Sequence, residues 1–397
     1  MTSDLIGRGL QSRRPARADR TVSTPRVLID NSLSIVNRTG AYHIAKDLCR
    51  EFVPDVADVR YWRLGRHGPE GLFRKLSARL MMAEIGFAGN SERLLIRDDV
   101  GRGGFRLFLD PLYVLRSALA PDDIVLCHDT GPLTHPALYH PGTVQSYRHA
   151  YGKIARIGPG VVFVSNWSRD SFVSLYGSDF RFLTTIPLYV RSELFEGPAK
   201  PVDGLEPPFI LTVGAFETRK NQTTALRAYR DGGFHRRGIR YVLCGSRGAG
   251  HEEIVELART VPGVRILDYV PDAELRWLYG NAEAFLLPSL LEGFGMPALE
   301  AAYMGLLPIV SAGSALVEAV DGVCIEIPPV DPAAIANAID AALARDPAEK
   351  AATANRLRTM AAAFTKARFL SRWRDLLMSN GMGDAAGKTG NRTPASA

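Results

Sequence analysis

The chain has 397 residues, 46% hydrophobic and 23% charged, which is ordinary composition for a globular protein of two or three domains. Its net charge of +6 is unevenly placed: six arginines against two aspartates give residues 1–26 a charge of +4, leaving +2 for the rest. A basic tail on a near-neutral body is not the footprint of a nucleic-acid-binding domain. The four cysteines (Cys49, Cys127, Cys244, Cys324) lie far apart and form no C-x-x-C pair, so neither a disulfide framework nor a zinc knuckle is read from them. No apolar stretch follows the N-terminal arginines, and the uncharged run Ala301–Val317 is interrupted by Gly305, Pro308 and Gly313. The expectation is a cytoplasmic protein without signal peptide or membrane span.

In chain order, residues 1–25 are polar, Arg-rich and Pro-punctuated, the composition of a disordered tail. Arg26–Asp30 (RVLID) reads as a strand and Thr39–Phe52 as an amphipathic helix. Ile124–Cys127 and Val161–Ser165 read as further strands with helical stretches between. This alternation predicts parallel β-α units over 26–195. Glu196–Pro208 (EGPAKPVDGLEPP) turns to Pro, Gly and charge and reads as an interdomain linker.

The second half, 209–364, alternates more cleanly. Strand-like runs fall at Phe209–Val213, Arg240–Cys244, Val264–Leu267, Ala284–Leu287, Leu307–Val310 and Val323–Ile327. Helical segments fall at about Asn221–Arg230, Glu252–Thr260, Asp272–Tyr279, Met296–Met304 and Pro332–Ala344. The architecture expected is α/β, two Rossmann-like domains facing across a cleft where strand C-termini and helix N-termini converge. An amphipathic helix at about 365–379 is placed to return to the first domain, and 380–397 again reads as a disordered tail.

Two segments carry chemistry. Glu292-Gly-Phe-Gly-Met-Pro-Ala-Leu-Glu300 follows a strand and opens a helix. Gly293 and Gly295 let the backbone approach a ligand, Pro297 suits the first turn, and free N–H groups there cradle a phosphate or a hydroxyl-rich group. In FILTVGAFETRKN (Phe209–Asn221), a buried-type strand ends at Gly214 and Arg219-Lys220 stand at a helix start. Like charges are unfavourable there, so the pair points to an anionic ligand such as a diphosphate.

GAFETRKN, GSRGAGHEEI (Gly245–Ile254), VPDAELRWLY (Val270–Tyr279) and EGFGMPALEA (Glu292–Ala301) occur in this order. Together they resemble the retaining GT-B fold glycosyltransferases of family 4 (glycosyl transferases group 1), among them bacterial polysaccharide mannosyltransferases. The resemblance is strong over 209–345. It is fainter in TGAYHIAKDL (Thr39–Leu48), LCHDTGPLTHP (Leu126–Pro136) and VVFVSNWSRDSF (Val161–Phe172). It implies a nucleotide-diphosphate sugar as donor, with Glu300 on the ribose and Glu292 on the sugar hydroxyls. Arg219 and Lys220 would hold the diphosphate beside Gly214, the amides of Phe294, Gly295 and Met296 would meet sugar and phosphates, and Tyr269–Val270 would lie near the base. His128, in CHDTG, would stand by the reaction centre; Asp129 beside it is read as holding a loop. GDP-mannose is the donor the subgroup suggests, with a UDP-hexose as the alternative and a catalytically silent partner subunit as a third reading.

Two departures from the family pattern stand out. The first-domain phosphate loop offers Asn37-Arg38-Thr39-Gly40 with a single glycine, and Ala215 replaces the arginine that many members place after the strand glycine. The phosphate grip then rests on Arg219 and Lys220, with Gly40 and Arg38 as lesser contributors. No Asp-x-Asp triplet occurs in the chain, so no metal or other cofactor is expected and fixed positive groups are expected to meet the leaving phosphate. Gly245-Ser-Arg-Gly-Ala-Gly250 lacks the G-x-G-x-x-G order of dinucleotide binding. Leu72–Met82 (LFRKLSARLMM) reads either as an interfacial helix suiting a polyprenyl-linked acceptor at the inner membrane face, or as an ordinary packed helix with a solvated basic face. The glycan or lipid-linked acceptor is not encoded in any readable motif, and GRGGF (Gly101–Phe105) is given no role.

Overall fold

A computed structural model describes residues 27–36, 40–53, 57–65, 67–88, 96, 100 and 103–382. The expected disordered tail 1–25, Asn37–Thr39, part of GRGGF and residues 383–397 lie outside these residues, whereas Asn380–Met382, expected to be disordered, end a helical turn over Met378–Met382. The first domain is a six-stranded parallel sheet built from β1 (Val27–Asp30), β2 (Ala57–Arg60), β3 (Phe105–Phe108), β4 (Ile124–Cys127), β5 (Gly160–Phe163) and β6 (Phe182–Thr185), in the order β2-β1-β3-β4-β5-β6. The second is a parallel sheet of β7 (Phe209–Val213), β8 (Arg240–Cys244), β9 (Val264–Leu267), β10 (Ala284–Leu287), β11 (Pro308–Ser311) and β12 (Ile325–Ile327), in the order β12-β11-β10-β7-β8-β9. Both orders reverse once, between β1 and β3 and between β7 and β10. Crevices open at such reversals, outside the strand C-termini, and those two ends face each other here.

The apolar runs become central strands because helices cover both faces of each sheet: β1, β3, β4, β5 and β10 are buried throughout. Phe105 opens β3 beside β1 and β4, so GRGGF runs into a central strand that its composition did not suggest. The charged residues of the first sheet are paired inside it. Arg60 forms an ion pair with Asp30 and donates to Ser117 Oγ at 2.8 Å, and Arg106 pairs with Asp123 at 2.9 Å.

The chain crosses between domains twice at one place, where Val190 N–H donates to Phe364 O at 2.9 Å. The segment that follows the first crossing is packed on the second domain. Phe195 meets Tyr279 edge-to-face and Tyr303 at a tilt, with ring centroids 5.6 and 5.3 Å apart, and Lys200 N–H donates to Ala273 O at 2.9 Å. The Lys366–Leu377 helix lies on the first domain, where Phe369 meets Tyr189 at 4.8 Å and Lys366 pairs with Asp47 at 2.8 Å. Trp373 there is fully buried.

The Gly71–Ala88 helix packs through Ser77, Met81 and Ile85 and turns Leu72, Phe73, Leu76 and Leu80 outward, each more than half exposed. Four of its large apolar side chains are therefore on the face that the sheet does not use. No helix among the described residues is long and apolar enough to cross a membrane.

Candidate active site

The interdomain cleft encloses about 620 Å³. On the second-domain side, β7 runs out into Gly214 and the chain makes a 3-10 turn, Thr218–Lys220, before the Gln222–Asp231 helix. Asn221 closes that turn in the left-handed region, φ 58°, which asparagine tolerates better than most residues. Its side-chain amide donates to Pro288 O at 3.0 Å, tying the turn to the end of β10. The Asn of the R-K-N sequence is thus a splint for the two cations before it.

Those cations do not stand unpartnered. Lys220, 7% exposed, forms a short ion pair with Glu292 Oε1, which also accepts from Ser289 Oγ at 2.8 Å. Arg219 pairs with Glu217 at 2.7 Å and with Glu292 Oε2 at 3.4 Å. Burial alone would raise the Glu292 carboxyl, but Lys220 and Arg219 outweigh it and hold it below the ordinary range. Burial, with Arg219 alongside, works the other way on Lys220 and lowers it despite Glu292. The unfavourable charge at the helix start is therefore relieved inside the protein, and its placement alone does not require an anionic ligand.

An anion cradle is present at the next turn. Gly295, φ 105°, caps the Met296–Met304 helix. The amides of Phe294, Gly295 and Met296, which line the cleft, have no acceptor among the described residues. Such a helix start holds a negative group. Glu300, fully buried, accepts from Arg191 at 2.7 Å and from Tyr279 OH at 3.0 Å. Burial lowers Arg191, and Glu300 more than reverses that.

From the first domain, Gly40 approaches Met296 so closely that a Cβ on it would lie 3.3 Å from the sulfur. His128 follows β4 directly, and its Nε2 lies 3.0 Å from Leu109 O. A carbonyl only accepts, so Nε2–H is the donor in this contact. Asp129 Oδ1 receives the Gly131 N–H at 2.8 Å, which holds the loop. The domains meet at Gly293, whose carbonyl accepts from Ser165 Oγ at 2.6 Å and Ser168 Oγ at 3.1 Å. Glu318 of the second domain accepts the N–H groups of Asn166 and Trp167 at 2.7 and 2.9 Å, an anion at the start of a first-domain helix.

Of the residues singled out in the sequence, Gly40, His128, Gly214, Arg219, Lys220, Glu292, Gly293, Phe294, Gly295, Met296 and Glu300 all line this cleft. Tyr269 and Val270 do not. They line an adjoining cavity of about 480 Å³ that shares His43, Arg191, Val213, Gly245 and Ser246 with the cleft. The sequence reading missed Asp110, Tyr139, Tyr147, Arg191 and Glu217, all cleft-lining. Asp110 carried a usable signal, being a carboxylate directly after a β-type run.

Residues 196–359 match the family described as Glycosyl transferases group 1. The chain is similar to O-antigen chain mannosyltransferase B of Escherichia coli, 31% identical over 246 residues that cover 58% of this chain. The matched region spans 63% of the length of that curated relative. Among solved structures, sucrose-phosphate synthase of Thermosynechococcus elongatus superposes with a TM-score of 0.66 at 18% identity, over 90% of this chain and 99% of that one. Anabaena HepE, solved with UDP and glucose, gives 0.64 at 16% identity, over 89% and 99%. At these identities the likeness is one of fold, and the fold is GT-B.

Proposed function

We propose that the chain is a glycosyltransferase that moves a hexose, mannose from GDP-mannose, onto a polysaccharide or lipid-linked oligosaccharide, with retention at the anomeric carbon and without a metal. The observation that carries this reading is one wall of the cleft. Arg219, Lys220 and the uncommitted amides of Phe294–Met296 converge there beside Glu292 and Glu300, a set that suits a diphosphate, a sugar and a ribose. The donor rests on the likeness to the Escherichia coli mannosyltransferase. In the transfer, an acceptor hydroxyl attacks the anomeric carbon, the bond from that carbon to the β-phosphate oxygen breaks, and the departing phosphate takes the hydroxyl proton. Retention by this front-face route needs no protein nucleophile. Glu292, with both oxygens engaged by Lys220, Ser289 and Arg219, is suited to orienting the sugar rather than attacking it. Fixed cations and a helix N-terminus supply the charge that a metal supplies elsewhere. EDTA-treated protein should therefore release GDP and an α-linked product from GDP-mannose at an undiminished rate, with the anomer read by NMR. Activity lost to EDTA and regained with Mg²⁺ or Mn²⁺ would remove metal independence, and a β-linked product would remove retention.

The same reading places the protein on the inner face of a membrane. Leu72, Phe73, Leu76 and Leu80 form an outward stripe with Lys75 and Arg79 at its edge, and no acidic side chain among the described residues pairs with those two cations. Apolar side chains flanked by cations suit an anionic bilayer surface. The full chain should float with vesicles containing anionic lipid, and the double substitution Leu76→Glu, Leu80→Glu should leave it at the bottom of the gradient. Equal flotation of both proteins would place the contact elsewhere.

A further inference from the structure

The Gly40–Phe52 helix divides its charges between two sides. Its acids face the C-terminal helix, where Asp47 pairs with Lys366 at 2.8 Å and Glu51 forms a short ion pair with Arg374. Its cations Lys46 and Arg50 are exposed, stand one turn apart on the same face, and have no acidic partner among the described residues. They line a groove of about 350 Å³ between this helix and β2, the edge strand of the first sheet. Asn31 on its floor, 3% exposed, donates to Cys49 Sγ at 3.3 Å, and the amide oxygen has no partner among the described residues. Burial raises the Cys49 thiol to about 12 and raises the Tyr61 hydroxyl beside it, so neither adds negative charge. Among the described residues, Glu70 at the rim is the one carboxylate that lines the groove, against two cations. Glu70 directly precedes the Gly71–Ala88 helix, within one helical turn of Leu72 and Phe73, which are 82% and 56% exposed. Arg74 donates to Ile35 O at 2.8 Å and fixes that helix start against the segment that carries Asn31.

Building on the proposed membrane contact, we propose that this groove receives the phosphate of an anionic lipid headgroup, held by Lys46 and Arg50, when the stripe of Leu72, Phe73, Leu76 and Leu80 lies on a bilayer. Two cations one turn apart repel each other unless an anion lies between them. A phosphate diester offers arginine a bidentate acceptor and lysine a point charge, and a hydroxyl on the headgroup supplies the donor that the Asn31 oxygen lacks. A lipid surface met by Leu72 and Phe73 brings its phosphates within reach of a groove one turn, about 5 Å, away. Exposed cations hold a free phosphate only weakly, whereas a docked bilayer presents headgroups to them at high local concentration.

The test floats the full chain with phosphatidylcholine vesicles and with vesicles in which part of that lipid is replaced by phosphatidylglycerol. The wild-type protein is expected to prefer the anionic vesicles. Arg50→Ala should lower that preference about tenfold or more, the loss of a charged hydrogen-bonded contact, and Lys46→Ala should lower it in the same direction. Lys75→Ala removes a cation from the stripe edge outside the groove, and should lower it about fivefold or less, as any cation near an anionic surface does. Equal losses from Arg50→Ala and Lys75→Ala would mean that only surface charge is read, and overturn the groove. Release of the wild-type protein by inorganic phosphate at matched ionic strength also overturns it, because the occupant is then free phosphate. An unchanged preference in Arg50→Ala, beside loss of flotation in Leu76→Glu, Leu80→Glu, overturns the groove and keeps the membrane contact. The converse keeps the groove and moves the apolar contact elsewhere. Wild-type protein that floats with neither vesicle overturns both.

Discussion

Lys220→Ala should lower turnover by about 10²–10³-fold, the usual loss when one charge-stabilising donor is removed from a reaction centre, while the Kd for GDP rises less than about tenfold. The asymmetry follows from the local charges. Lys220 and Arg219 are already offset by Glu292 and Glu217, so the ground-state diphosphate gains modestly from either cation. Charge grows on the phosphate as its bond to the sugar breaks, and the lysine then counts for more. Equal losses in turnover and affinity would make Lys220 a binding residue only. The substitution also leaves Glu292 buried, with Arg219 and Ser289 as its remaining partners, and should cost about 1–3 kcal/mol of stability.

The pH dependence carries the same assignment. Because burial and Arg219 lower Lys220 below the ordinary lysine value of 10.5, the alkaline limb of kcat should fall below that value, and Lys220→Arg should move it upward. Glu292 behaves oppositely. Its lowered carboxyl contributes stability that is complete above the unfolded glutamate value and is lost only as pH falls through the lower folded one.

The second large effect is expected from a single methyl group. Gly293→Ala would place its Cβ 2.2 Å from His128 O and 3.0 Å from the carbonyl carbon. Both are backbone atoms of the opposite domain, so no side chain can swing away. The domains must part at the seam where Ser165 and Ser168 reach the Gly293 carbonyl. Misplacing reacting groups by about 1 Å costs on the order of 10²-fold in rate, and transfer should fall by at least that much. GDP binding should survive, because Arg219, Lys220, Glu300 and the Met296 helix start all belong to the second domain. Gly152→Ala, in open space within the Pro141–Ile157 helix, is the control and should be neutral or slightly stabilising. Transfer retained in Gly293→Ala would mean that the seam tolerates opening during the reaction.

How far the sequence went depended on where its charges are neutralised. The second sheet was legible because β7, β8 and β10 are apolar runs bounded by turn residues, and the E-x7-E segment follows one of them directly. In the first domain, β2 (ADVR) and β3 (FRLF) carry Arg60 and Arg106, which break the apolar pattern. Asp30 and Asp123 neutralise them from distant points in the chain, and periodicity cannot see such partners. Missing β3 also hid Asp110, two residues beyond its end. At Arg219-Lys220 the counter-charge was hidden in the same way: Glu292, 72 residues after Lys220, supplies what the local sequence lacks. Arg191 was invisible because its significance lies wholly in reaching Glu300 across the crossing point.

The central claim is that the second domain holds a nucleotide diphosphate without a metal, and calorimetric titration of the metal-free protein with GDP, UDP and ADP tests it most directly. The predicted result is tight binding of GDP over the other two, weakened by Glu300→Ala. Preference for UDP would keep the site and replace the donor. Binding of none of the three would contradict the account and bring forward a silent GT-B partner of an active transferase.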